Sequence, residues 1–310
     1  MTTAASVSTV PRTSAATTGG PATNRWVGLA FVSPALVLFL VFIGGPFVFA
    51  IVLSLYSWDL LTPAEFVGAG NFRTLFSDPL LGKVLTNTFL FAIASVVTHV
   101  VGALLLALAV NRAMNRAVSY FVRTAFFFPF LISWSAVALL FKYVLDPTFG
   151  LVSHYLGVVG ISAPDWFTDP HWALPAIIGI DWWHTIGFTF VIMLAGLQTV
   201  PTHLQDAART DGANAWQVFW HVTVPLMSPT LFFATIITFI GAFQIFDPMQ
   251  IITQGGPDNA TKTIVMYLYE QGFQSFQIGY ASAVAVLVFV VIMLVTVVQF
   301  LLSRVWVHEQ

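Results

Sequence analysis

Six long stretches of this chain carry no Asp, Glu, Lys or Arg: residues 26–58, 84–111, 124–141, 182–205, 212–246 and 271–303. Each can house an apolar helix of about 20 residues, the length that crosses roughly 30 Å of hydrocarbon. A water-soluble fold has too little interior to hide them. Hydrophobic residues make up 58% of the chain and charged residues 8%, against about 25% in a usual soluble protein. The solvent must therefore be partly lipid.

We expect an all-α polytopic membrane protein with six transmembrane helices, near 27–54, 86–110, 118–141, 172–198, 226–250 and 279–302. Residues 147–164 also lack charge, but Pro147, Gly150, Gly157, Gly160 and Pro164 interrupt them, so they read as a surface loop. The Thr-, Ser-, Ala-, Gly- and Pro-rich start reads as a flexible tail (1–25), followed by a single membrane domain (26–310). The apolar run from Trp26 to Trp58 is far longer than the core of a signal peptide and reads as an uncleaved span.

Six spans put both termini on one side. Arg12, Arg25, Arg112, Arg116, Arg123, Arg209 and Arg304 fall on that side, and Arg73, Lys83, Lys142 and Lys262 on the other. The richer side, with Arg112, Arg116 and Arg123 in one short loop, is expected to be cytoplasmic.

The sequence offers little covalent chemistry. The net charge of −2 gives no basic field for nucleic acid. Zero Cys excludes disulfides, thiolate metal sites and Cys nucleophiles. There is no phosphate-binding Gly-x-x-x-x-Gly-Lys loop, no His-Glu-x-x-His and no Gly-x-Ser-x-Gly, and the His residues form no metal pair. No catalytic residue, metal or cofactor is expected in this chain. His99, in the middle of the second span, reads as a hydrogen-bond partner between helices.

The polar loop 201–225 is more informative. Pro201 or Thr202 can start a short helix with Leu204, Ala207 and Ala208 on one face, and Gly212 suits the position just past its end. A second short helix would group Trp216, Phe219 and Trp220, and Pro225 would stop it before the fifth span. Small alanines beside large aromatics suit a docking surface. The same pattern suits a helix resting on lipid headgroups with Trp as anchor.

Asp206-Ala207-Ala208, three residues, Gly212, nine residues and Val222-x-Val224-Pro225 resemble the E-A-A loop of permease subunits in binding-protein-dependent ABC importers. Asp replaces the usual Glu, and Val the usual Ile and Leu. Further stretches resemble the carbohydrate class, of maltose and glycerol-3-phosphate permease type. They are Phe66-Val67-Gly68-Ala69-Gly70-Asn71-Phe72, Leu194–Gln198, Phe246-Asp247-Pro248, Thr253–Pro257 and Gly279–Ala283.

The resemblance implies a type I importer core in a bacterial inner membrane. It also implies an external solute-binding protein, a second and different permease, and two cytoplasmic ATPase subunits that bind ATP and Mg. It makes Leu204, Asp206, Ala207, Ala208, Asp211, Gly212, Ala213, Trp216 and Phe219 the ATPase-coupling surface. It places the substrate path on the fourth and fifth spans, at His184, Thr185, Phe188, Thr238, Gly241, Ala242 and Ile245, with Gln244 and Asp247 behind them.

Asp181 and Asp247 are the acids within the expected spans. A charge in hydrocarbon costs about 2.5–3.5 kcal/mol on insertion scales, so each should face protein or water. Either could be a structural acceptor or a path residue. The alternative to an ATP-driven importer is an ion-coupled secondary transporter of a small polar solute, which would want inverted repeats and a mid-membrane relay.

Overall fold

The computed structural model describes residues 25–111 and 115–307. The expected tail as far as residue 24, with Arg12, and also Arg112 lie outside the described residues, while Arg25 opens the first helix. The first unit ends at Phe49 and holds the helix α1 (Arg25–Phe39), a wide turn at Leu40–Gly44 and the first half of α2 (Gly45–Leu53). Large apolar side chains such as Phe31 and Phe42 are exposed on it, as suits a helix whose surroundings are apolar.

The second unit begins at Ala50 with the end of α2, followed by a two-stranded hairpin, β1 (Tyr56–Ser57) against β2 (Glu65–Phe66), and a short helix α3 (Gly70–Ser77). The Phe66–Phe72 stretch has a structural role here. Asn71 Nδ2 donates to the carbonyls of Ser54 and Tyr56, both at 2.8 Å, and so closes the hairpin.

Helix α4 (Pro79–Asn111) is the long central element. Helix α5 (Arg116–Phe127) follows, capped by Asn115, then a 3₁₀ turn at Phe128–Leu131 and α6 (Trp134–Val144). The chain bends by 99° between the last two. The third span is thus a broken helix, not the continuous one expected over 118–141. Pro129 lacks an N–H and cannot continue the α ladder, and Ile132 is extended. Within residues 147–164, expected as a surface loop, a short helix α7 (Leu151–Val158) forms despite Gly157 inside it.

Helix α8 (Pro170–Thr199) starts with Asp169 accepting from the His171 N–H at 2.8 Å and Pro170 in its first turn. The polar loop holds α9 (Thr202–Thr210), α10 (Ala215–Val218), a wide turn at Phe219–Thr223 and α11 (Val224–Leu226). Pro225 does not stop this element. It lies in the first turn of α11, where a missing N–H is tolerated, and the chain bends by 67° between Leu226 and Ser228.

Helix α12 (Ser228–Phe243) ends seven residues before the expected limit of 250. The helix breaks at residues 244–246, and helical geometry resumes at Asp247 in the next short segment, so Asp247 is exposed beyond the end of α12. A wide turn at Met249–Thr253, α13 (Ile264–Tyr269), a second such turn at Glu270–Gln274 and α14 (Ile278–Trp306) complete the fold.

Four described helical stretches are long and apolar enough to cross a membrane, and six if each bent pair counts as one span. Two buried clusters hold α4, α8 and α12 together. One contains Phe91, Ile177, Phe239 and Phe243 with Tyr267 and Val284 of α13 and α14, and the other contains Ala103, Ala107, Ile186, Phe190 and Ala234. Alanines in the second cluster let helices approach closely, the usual packing mode where lipid supplies no hydrophobic drive between helices.

Candidate functional site

A cavity of about 230 Å³ lies where α4, α8 and α12 meet the broken third span. Helical spacing brings its walls together. Asp181, Thr185 and Phe188 share one face of α8 at i, i+4 and i+7, joined by Thr189. Thr238, Gly241, Ala242 and Ile245 share one face of α12 and its end, beside Ile237. Ser95 and His99 of α4 supply a third, polar wall, and Phe130 and Trp134 enter from the break.

The polar wall is a connected network. Ser95 Oγ donates to Asp181 Oδ2 at 2.8 Å, and His99 Nε2 lies 3.8 Å from the same oxygen. His99 Nδ1 is 2.6 Å from the Ser95 carbonyl, which can only accept, so Nδ1 donates. His99 Nε2 is 2.6 Å from Thr185 Oγ1, whose single O–H points either to that nitrogen or to the Asp181 carbonyl at 2.9 Å. A buried carboxylate is expensive without partners. Here α4 supplies them, so Asp181 ties two helices together and also lines the cavity. His99 joins helices, as its lone position in an apolar span suggested.

The expected path residues divide. Thr185, Phe188, Thr238, Gly241, Ala242, Ile245 and Asp181 come together. His184 does not line the cavity; it is buried behind the wall, donating from Nε2 to the Ile132 carbonyl at 2.9 Å. Gln244 caps the end of α12 and is exposed, and Asp247 is exposed beyond it, so neither reaches the cavity. An α12 running to residue 250 would bring both inward, but the helix ends at Phe243.

Sequence reasoning passed over Ser95, Thr189, Ile237, Phe130 and Trp134. Ser95 and His99 were legible as an i, i+4 polar pair in a charge-free helix. Phe130 and Trp134 were hidden by the assumption of an unbroken third span.

The loop after α8 forms a second site. Gly212 has φ +89°, its N–H bonds to the Arg209 carbonyl, and the Ala213 N–H bonds to the Ala208 carbonyl, both at 3.0 Å. This pair of bonds is the Schellman ending of a helix, with Gly at the left-handed position. Asp211 is the last residue before it. Asn214 then starts α10 with a reciprocal cap, its side chain and that of Gln217 each accepting from the other's backbone N–H at 2.9 and 2.8 Å.

The aromatics cluster as expected. Trp216 and Trp220 meet at 5.5 Å, and Phe219 and Trp220 at 5.0 Å. Trp216 and Phe219 line a recess of about 480 Å³ with Gln205 and Arg209 of α9 and Leu105, Leu108 and Asn111 of α4. Leu204, Asp206 and Ala207 are exposed on the outer surface of α9, and Ala208 and Ala213 are half-buried. Asp206 meets Arg209 at 3.4 Å, an exposed pair that stabilises the helix little.

Residues 99–306 match the family model described as "binding-protein-dependent transport system inner membrane component". The chain is 35% identical over 279 residues to the probable ABC transporter permease protein YurN of Bacillus subtilis (strain 168), covering 89% of this chain and 95% of the relative. It is also 35% identical over 285 residues to the lactose transport system permease protein LacF of Rhizobium radiobacter, covering 90% and 92%. Among solved structures, it is similar to a chain of a bacterial ABC transporter involved in the import of the acidic polysaccharide alginate. That match has a TM-score of 0.78 and 25% identity, over 90% of this chain and 95% of the other.

Proposed function

Because the chain belongs to the family of binding-protein-dependent transport system inner membrane components, we propose that it lines the translocation path of an importer for a sugar or sugar derivative. Membership makes it a multi-pass inner-membrane permease subunit of a binding-protein-dependent ABC system, not an enzyme. It favours ATP-driven import over the ion-coupled alternative.

The observation that carries the proposal is the cavity itself. It gathers hydroxyls, a carboxylate and aromatic faces from helices on either side of the polar loop. Hydroxyls and carboxylates suit the O–H groups of a carbohydrate, and aromatic faces suit its C–H edges. Among the described residues no Lys or Arg lines the cavity to pair with a phosphate or sulfonate, which favours a neutral sugar. The lactose permease similarity supports the same class.

The loop 201–225 is proposed to dock on a cytoplasmic ATPase through α9 and the Trp216–Phe219 cluster. ATP and Mg then belong to the ATPase subunits, two per complex. A second, different permease completes the path, an external binding protein delivers the sugar, and both termini are cytoplasmic. Only Val200 and Pro201 separate α8 from α9, and only Met227 separates α11 from α12. A displacement of the loop therefore passes directly to the helices that carry Asp181 and Thr238. ATP binding need only favour one arrangement of these helices over the other.

The test is uptake into proteoliposomes containing both permeases and the ATPase, with the binding protein outside. A panel of neutral sugars is compared with sn-glycerol 3-phosphate. ATP-dependent uptake of a neutral sugar is expected. Uptake driven by an ion gradient without ATP, or confined to the phosphate ester, would overturn the proposal.

A further inference from the structure

His184 is almost fully buried yet has no place in the cavity lining. Its Nε2 bonds to a carbonyl and therefore carries the ring hydrogen. Its Nδ1 is buried with no hydrogen-bond partner among the described residues. The acceptor is the carbonyl of Ile132, the extended residue at the break between the 3₁₀ turn and α6. Such a carbonyl lies where helices leave polar groups without internal partners, and water is scarce at this depth.

Two neighbours on the same face of α8 hold the same segment. At Gly187, one turn along, an added Cβ would stand 2.0 Å from the Phe126 carbonyl oxygen, so backbone packs directly on backbone. At Phe188, the ring stacks on Phe130 with centroids 5.1 Å apart. The His184 ring itself lies 4.3 Å from that of Trp134.

We propose that His184 is a positioning residue. Its Nε2–H satisfies the carbonyl freed by the break, and this pins the bent segment to α8 so that Phe130 and Trp134 stand in the cavity wall. Without the bond, the bend loses its compensation and the aromatic wall shifts off the polar one. The consequence for sugar recognition rests on the cavity being the substrate path; the pinning itself does not.

The chain has no native cysteine, so a disulfide within it reports position cleanly. Phe130→Cys with Phe188→Cys is introduced into the assembled complex, and cross-linking under mild oxidation is scored on this chain. The cross-link is expected with His184 present, retained in His184→Gln, which keeps an N–H donor, and lost in His184→Leu. Gly187→Ala should lose it independently, by pushing the segment away.

Equal cross-linking in His184→Leu and Gly187→Ala would overturn the proposal, as would its loss in His184→Gln. In chains with Phe130 and Phe188 intact, His184→Leu should raise the KM for sugar uptake roughly five- to tenfold with kcat nearly unchanged, and His184→Gln should restore it. An unpinned wall weakens binding rather than turnover, whereas general misfolding would lower kcat through loss of active complex. If the wild-type complex carries no sugar, the functional reading fails while the cross-link still decides the pinning.

Discussion

Ser95 on α4 and Asp181 on α8 are joined by a 2.8 Å hydrogen bond across the helix pair that walls the cavity. The carboxylate is buried, so its partners have no water to fall back on. Asp181→Leu should therefore destabilise the purified complex by about 1–3 kcal/mol. Asp181→Asn, which keeps an acceptor for Ser95, should cost less. Thermal unfolding in detergent measures both, and equal losses would mean that the hydrogen bond is not what Asp181 supplies.

Thr185 of α8 and Thr238 of α12 both line the cavity, whereas Gln244 lies outside it. Thr185→Ala and Thr238→Ala should each weaken sugar uptake by about 1 kcal/mol in kcat/KM, roughly fivefold. Gln244→Ala should leave kinetics at the wild-type level. A strong effect at Gln244 with none at the two threonines would place the path elsewhere.

Much of this arrangement was legible in sequence because lipid imposes a simple rule. Charge-free runs located the helices, and the spacing from Asp206 to Pro225 located the loop. Within the helices, i, i+4 periodicity was enough to put Asp181 beside Thr185. What stayed hidden depends on breaks. Pro129 ends one helix and redirects Phe130 and Trp134, but hydropathy runs smoothly across it. A break at residues 244–246 likewise shortens α12 and leaves Gln244 and Asp247 out of the cavity lining. The role of His184 was illegible because its partner, Ile132, becomes an acceptor only once the chain bends there.

Outside the spans, Asp146 organises the turn after α6. The Thr148 hydroxyl, at 2.6 Å, and then the N–H groups of Thr148 and Phe149 hold its carboxyl below its ordinary pKa. A depressed carboxylate stabilises the turn at neutral pH. That contribution falls away as pH drops below the usual carboxylate range and through the lowered value. Carbon-13 NMR titration should find Asp146 titrating below an unperturbed Asp, and Thr148→Val should move it upward. An unchanged midpoint in Thr148→Val would remove the hydroxyl as the cause.

At Gly212 the constraint is the backbone alone, since an added Cβ would meet nothing within 4 Å. Its φ of +89° should make Gly212→Val costly by about 1–2 kcal/mol, while Gly212→Asn, which tolerates left-handed geometry better, should cost less. Gly212→Val should insert normally yet recover less ATPase on co-purification, and Ala208→Trp should do the same by blocking close approach. Wild-type recovery of ATPase in both variants would leave the loop as a lipid-anchored element.

As the proposed translocation path, the cavity between α4, α8 and α12 should open and close with the ATPase cycle. A Thr238→Cys variant places a single thiol in this otherwise cysteine-free chain, on the cavity wall. Its labelling by a membrane-impermeant maleimide from the binding-protein side should be slow without nucleotide, rise when ATP and vanadate trap the complex, and fall again with transported sugar present. A labelling rate indifferent to both nucleotide and sugar would contradict the account.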